Sequence, residues 1–186
     1  MNEKLNRELQ SLDKGLSALL KEMKVYSDDQ LNRSHGEGKW SAIQIMHHLM
    51  MSERYSLKYV QKKLSFNPEL KKAGFKSTMR RLLVTSYLGS PLKIKAPEAI
   101  SGENLPDFVS FWDSAKSWKS QREELRAYLE QLPNHLLDKE IYKHPFAGRL
   151  SILGMLRFFN AHFKRHRKQV RRVLKQMVPV GGYVKV

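Results

Sequence analysis

Apolar residues open the chain at alternating spacings of four and three. Leu5, Leu9, Leu12, Leu16, Leu19 and Met23 therefore fall on one side of a helix, with Lys, Glu, Asn and Asp on the others. The next run, Tyr26 to Lys39, carries Ser27, Asp28, Asp29, Ser34, Gly36 and Gly38 and reads as a loop. Ser41 with Gln44 three residues on has the form of a capping box and starts a second helix. Its inward stripe is Ile45, His48, Leu49, Ser52, Tyr55 and Tyr59, and it ends near Leu64, before Asn67 and Pro68.

The pattern weakens from Ser65 to Gly102, a stretch too long to lack structure of its own. Ser77 to Leu88 predicts a shorter helix with Met79, Leu82, Leu83 and Tyr87 inward, and Pro91 to Pro97 alternates like an extended strap laid over its neighbours. Asn104, followed by Pro106 and Asp107, predicts the start of a third long helix, which continues through Phe108, Phe111, Ala115, Trp118, Leu125 and Leu129 to about Leu132. A connection through Tyr142, Pro145 and Gly148 then leads to Ser151, the expected cap of a fourth long helix from about Ile152 to Met177. Its apolar stripe is Ile152, Leu156, Phe159, Phe163, His166, Val170, Val173 and Met177, and Arg157, Lys164, Lys168, Arg171 and Lys175 occupy the other face.

No period-two run bounded by hairpin turns is visible, and no repeat. Four long amphipathic helices must bury their stripes against one another. The expected fold is therefore all-α, a four-helix bundle whose second and third long helices are joined by the short extra helix and the strap. At 186 residues the expectation is a single domain over residues 1–178 and a C-terminal tail over 179–186.

Composition narrows the function classes. The absence of cysteine excludes disulfides, thiolate metal ligands and a cysteine nucleophile. Met1 to Lys14 lacks the continuous apolar core of a secretory signal, so a cytoplasmic location is expected. The longest charge-free apolar stretch, Leu82 to Leu92, falls short of the ~18 residues that span a bilayer. The formal net charge is +16, and no carboxylate follows Glu140. Such a cationic C-terminal quarter attracts polyanions, acidic lipids, anionic small molecules or an acidic protein, and its sign does not choose among them.

Histidines carry the candidate chemistry. His35, His47 and His135 read as surface groups, whereas His48 lies on the inward stripe of the second helix. His162 and His166, one turn apart on the fourth, share a face at or within its stripe. Three neutral imidazoles from two helices make a facial metal site with open positions, while the plainer reading is hydrogen-bonded core histidines or part of a basic helix.

The run Trp40-Ser41-Ala42-Ile43 leading to His48-Leu49 and Glu53, then His144-Pro145, Gly148 and Ser151, then His162, Arg165-His166 and Gln169, resembles the DinB-like superfamily across essentially the whole chain. That resemblance implies a four-helix bundle and places His48, His162 and His166 at the family's metal-binding positions. It also implies a divalent ion, nickel or zinc, a homodimer, and chemistry like that of thiol-dependent S-transferases or a mycothiol-dependent isomerase.

Two functions compete. One is a divalent-metal-dependent enzyme, a hydrolase or thiol-dependent transferase acting on a small anionic or thiol substrate, with Tyr142 and His144 either behind the ligands or purely structural and Trp40 as a pocket wall. Glu53 reads as an exposed residue or a helix-pairing partner. The other is a non-catalytic module that binds nucleic acid or an acidic partner through Lys164, Arg165, Lys168, Arg171, Arg172 and Lys175. The aromatic group Phe108, Phe111, Trp112 and Trp118 is expected in the core or a dimer interface.

Overall fold

Six α-helices and one short hairpin make up the described part of the chain, residues 2–90 and 97–179, in a computed structural model. The helices are α1 (Glu3–Met23), α2 (Asp28–Asn32), α3 (Ala42–Ser65), α4 (Phe75–Gly89), α5 (Phe111–Gln131) and α6 (Ile152–Leu174). The expected strap, apart from Pro97, and the tail beyond Pro179 lie outside the described residues.

The long helices α1, α3, α5 and α6 form the bundle, and their starts follow from local chemistry. Asn2 accepts the free N–H groups of Lys4 and Leu5 at the head of α1. Ser41 and Gln44 close a reciprocal capping box on α3, and Ser151 accepts from Gly154 on α6. All six apolar residues of the first stripe are buried, each contributing about 1.5–3 kcal/mol. Gly15 lets α6 approach closely, because a Cβ there would stand 2.9 Å from the Phe163 ring. The core divides into one cluster around Leu12, Leu129, Leu156 and Phe159 and another around Leu19, Ile45, Trp118 and Phe163.

Several expectations fail in detail. The loop after α1 contains α2, which starts on a capping box between Ser27 and Gln30. Tyr55 is exposed rather than inward, and α3 buries Glu53 and Ser56 instead. Helix α5 begins at Phe111, not Asn104; two 3-10 turns, Glu98–Ile100 and Gly102–Asn104, precede it, and Phe108 and Trp112 are exposed while Phe111 and Trp118 are core. Helix α6 stops at Leu174, three residues early.

The connection before α6 is an antiparallel hairpin, β1 (Tyr142–His144) with β2 (Gly148–Leu150), where no strand was expected. Its strands are too short for a period-two signal, and Gly148 takes the positive φ of 75° that the turn requires. Helix α4 exists as expected but is rotated. Ser77 and Val84 are its buried residues, whereas Met79, Leu82 and Leu83 face solvent.

Candidate metal centre

The capping box that starts α3 at Ser41 fixes the phase in which His48 points inward, one turn past Ile45. Ser151 does the same for α6, whose inward face carries Phe158, Phe159, His162 and Phe163. Where α3 and α6 pack together, His48, His162 and His166 each offer a ring nitrogen, and these atoms lie within 4.8 Å of one another. His48 and His162 are buried, and His166 is partly so. Their rings are mutually tilted at centroid distances of 4.6–5.0 Å, so edges rather than faces converge.

Hydrogen bonds define which nitrogens converge. His48 donates from Nδ1 to the Ile100 carbonyl at 2.8 Å, and His166 donates from Nδ1 to Gln169 Oε1 at 2.9 Å. Both therefore carry a bare lone pair on Nε2, the arrangement in which an outer oxygen orients a metal-binding imidazole. His48 Nε2 and His162 Nε2 are 3.1 Å apart, inside the ~2.9–3.4 Å expected between neighbouring ligands each ~2.0–2.1 Å from one ion.

Burial keeps the rings neutral. It is the largest influence on all three, pushing His166 down to about 3 and His162 well below the usual imidazole range, with the neighbouring imidazoles acting in the same direction. His48 is lowered too, against an opposing contribution from its bond to Ile100. Neutral imidazoles are the form that binds metal, so the donor set fits a divalent ion.

Trp40 stands beside the cluster, its ring 4.9 Å from that of His48. His144 and Tyr142 stand one layer further out. Phe158 touches both His144 (4.4 Å) and His162 (5.2 Å), and Tyr142 meets His144 and Ser56. His144 Nδ1 accepts the backbone N–H groups of Phe146 and Ala147, which leaves its proton on Nε2, and burial lowers its pKa to about 4. Burial raises the Tyr142 phenol to about 12.

Other sequence expectations change. His47 is half-buried and bonds Ser114, and His35 is half-buried as well. Glu53 is buried, taking two hydrogen bonds from Arg122 (2.6 and 2.7 Å) and one from Trp118 Nε1 (3.0 Å), which is the helix-pairing role and not the exposed one. Arg165 does not lie on an open cationic face: its guanidinium packs over Tyr87 and donates to the carbonyls of Tyr87, Leu88 and Ser90. Arg167 and Arg171 both bind Glu22, leaving Lys164, Lys168, Arg172 and Lys175 as exposed members of that helix. Phe158 and the Ile100 carbonyl were missed by sequence reasoning. A main-chain acceptor leaves no signal in residue identity, whereas Gln169, three residues past His166, does.

Bundle and centre together define a class, helical proteins with a three-histidine pocket between two long helices. The chain belongs to the DinB superfamily, whose model matches residues 11–170. Among solved structures it resembles YfiT from Bacillus subtilis, described as a probable metal-dependent hydrolase with an unusual four-helix bundle topology. The likeness covers 95% of this chain and 90% of that one at a TM-score of 0.57 and 14% identity, and it concerns the fold. No curated protein matches the chain in sequence.

Proposed function

We propose that the protein is a metal-dependent enzyme of the hydrolase type, with His48, His162 and His166 as the protein ligands of one divalent ion. The observation that carries this reading is the convergence of three neutral imidazoles, two buried and one partly buried, two of them steered from behind by oxygen acceptors. Membership of the DinB superfamily and the description of YfiT support it. A bound divalent ion supplies Lewis acidity, which lowers the pKa of water or of a thiol.

The chain's own groups shape what binds there. Three neutral ligands bring no charge to offset the ion, and among the described residues no carboxylate belongs to the cluster. The centre therefore favours an anionic ligand, such as a carboxylate, a phosphate ester or a thiolate. Arg165, close enough to depress both His162 and His166, adds to that preference while holding the end of α4 in place. Trp40 and Phe158 exclude water around the rings. A thiol-dependent transferase uses the same centre with a thiolate in the open position.

Of the residues of the binding-module alternative, Arg165 and Arg171 are engaged within the protein, whereas Lys164, Lys168, Arg172 and Lys175 are exposed.

Metal analysis of untagged protein tests the reading. Near-stoichiometric nickel or zinc is expected in the wild type and none in His162→Ala with an unchanged circular dichroism spectrum; full metal content in that folded variant would sink the site. Turnover of anionic ester substrates with and without added thiol then separates hydrolase from transferase.

A further inference from the structure

Helix α4 carries its apolar stripe on the wrong side. Phe75, Met79, Leu82 and Leu83 are 78%, 40%, 44% and 66% exposed, while the face turned to α6 buries Ser77 and Val84. At 3.6 residues per turn the four exposed residues fall within an arc of about 100°, the width of a stripe built to be covered. No ionic group interrupts that arc. The hairpin packs on the buried face of α4, with Ser77 Oγ 3.4 Å from the Arg149 carbonyl, and carries a further exposed aromatic, Phe146, 61% exposed.

Lys76 borders the stripe, and the segments next to α4 are cationic. Lys71, Lys76, Lys143 and Arg149 are exposed on α4, on the residues leading to it and on the hairpin. Of the carboxylates of the same region, Asp138 and Glu140 are paired with Lys72 and Arg80, and the exposed Glu69 shares a cleft with Lys71 and Arg149, so the balance there is still cationic. A second copy would bring the same positive rim, on a chain of formal charge +16, and four side chains of one helix fall short of the ~800 Å² per partner of a stable dimer. The stripe is also convex, the side of a single helix, and so offers no groove to a peptide. A convex apolar helix rimmed by lysine and arginine matches the boundary between anionic headgroups and acyl chains.

We propose that α4 is an interfacial helix that seats the Phe75, Met79, Leu82 and Leu83 face in the surface of an anionic phospholipid bilayer. The chain is then a peripheral protein whose lipid-facing helix packs on α6, the helix that carries two of the three clustered histidines.

The chain has no cysteine, so single labels are clean. Full-length protein with Leu83→Cys carrying an environment-sensitive fluorophore, and a control with Ser120→Cys on α5, would be mixed with vesicles of phosphatidylcholine containing about one-quarter phosphatidylglycerol. The label at 83 is expected to shift to the blue and the label at 120 to stay unchanged. The charge-neutral pair Phe75→Ser and Leu83→Ser, shown folded by its melting curve, should lower vesicle partitioning roughly tenfold or more. Equal responses from both labels, or undiminished partitioning of the serine variant, would mean adhesion by charge alone and overturn the proposal. Sedimentation in which the wild type self-associates, the serine variant does not and vesicles stay unbound would overturn it in favour of a second copy. A dimer formed through another face leaves it standing.

Discussion

Helix α3 contributes to two buried polar clusters little more than one turn apart, and they are opposites. Glu53 meets Arg122 and Trp118 of α5 and has its charge matched within the chain. His48 meets His162 and His166 of α6, and there the Nδ1 atoms of His48 and His166 are tied to oxygen acceptors while His48 Nε2 turns inward to His162 Nε2 at 3.1 Å. A polar cluster whose charges are matched by its own partners is structure, even though the buried Arg122 Nη1 makes no hydrogen bond. The cluster whose ring nitrogens converge without a charge to match is the one on which the proposed metal site rests.

The sharpest way to break the comparison is to unbalance each cluster. Arg122→Ala strands the Glu53 carboxylate in the core and is expected to cost about 3–5 kcal/mol in urea unfolding, whether or not metal is added. The double change Glu53→Leu with Arg122→Met should recover most of that loss, and failure to do so would mean that the pair does more than satisfy itself. His162→Ala, by contrast, is expected to remove metal uptake and with it any stabilisation by added metal.

Acid acts on the imidazole side. His144 has its pKa lowered from 6.5 to about 4 by burial, so the unfolded chain takes up the proton first. Its contribution to stability is whole above pH 6.5 and is lost as the pH falls toward 4, about 3 kcal/mol for this one group. Unfolding of metal-free protein across that range, with the His144 ring followed by NMR, measures it; an imidazole that titrates near 6.5 would contradict its burial. The smallest effect sought is at Gln169. Its replacement by Ala should weaken metal affinity about 10–100-fold without abolishing binding, since His166 keeps its place but loses the acceptor that holds its ring.

The bundle was legible because α1, α3 and α6 repeat their apolar residues over five or more turns, and the three histidines were legible because they sit on those stripes. Short elements left less trace. Ser27 with Gln30 is a capping box visible in the sequence, yet the polar, glycine-containing run around it reads as loop. In α4 two stripes compete, Ser77 with Val84 against Phe75, Met79, Leu82 and Leu83, and hydrophobicity favours the second. Packing against α6 chose the first. The partnership of Glu53 with Arg122, 69 residues apart, depends on helix phase across the bundle, which no local pattern encodes.

His48 is held by a carbonyl of the main chain, from the 3-10 turn Glu98–Ile100. Such a clamp is blind to which side chain stands at position 100, so that residue can drift through evolution or be replaced in the laboratory with the imidazole still held. It is sensitive to length instead: an insertion or deletion between α4 and the turn would slide a different carbonyl, or none, into register with the ring.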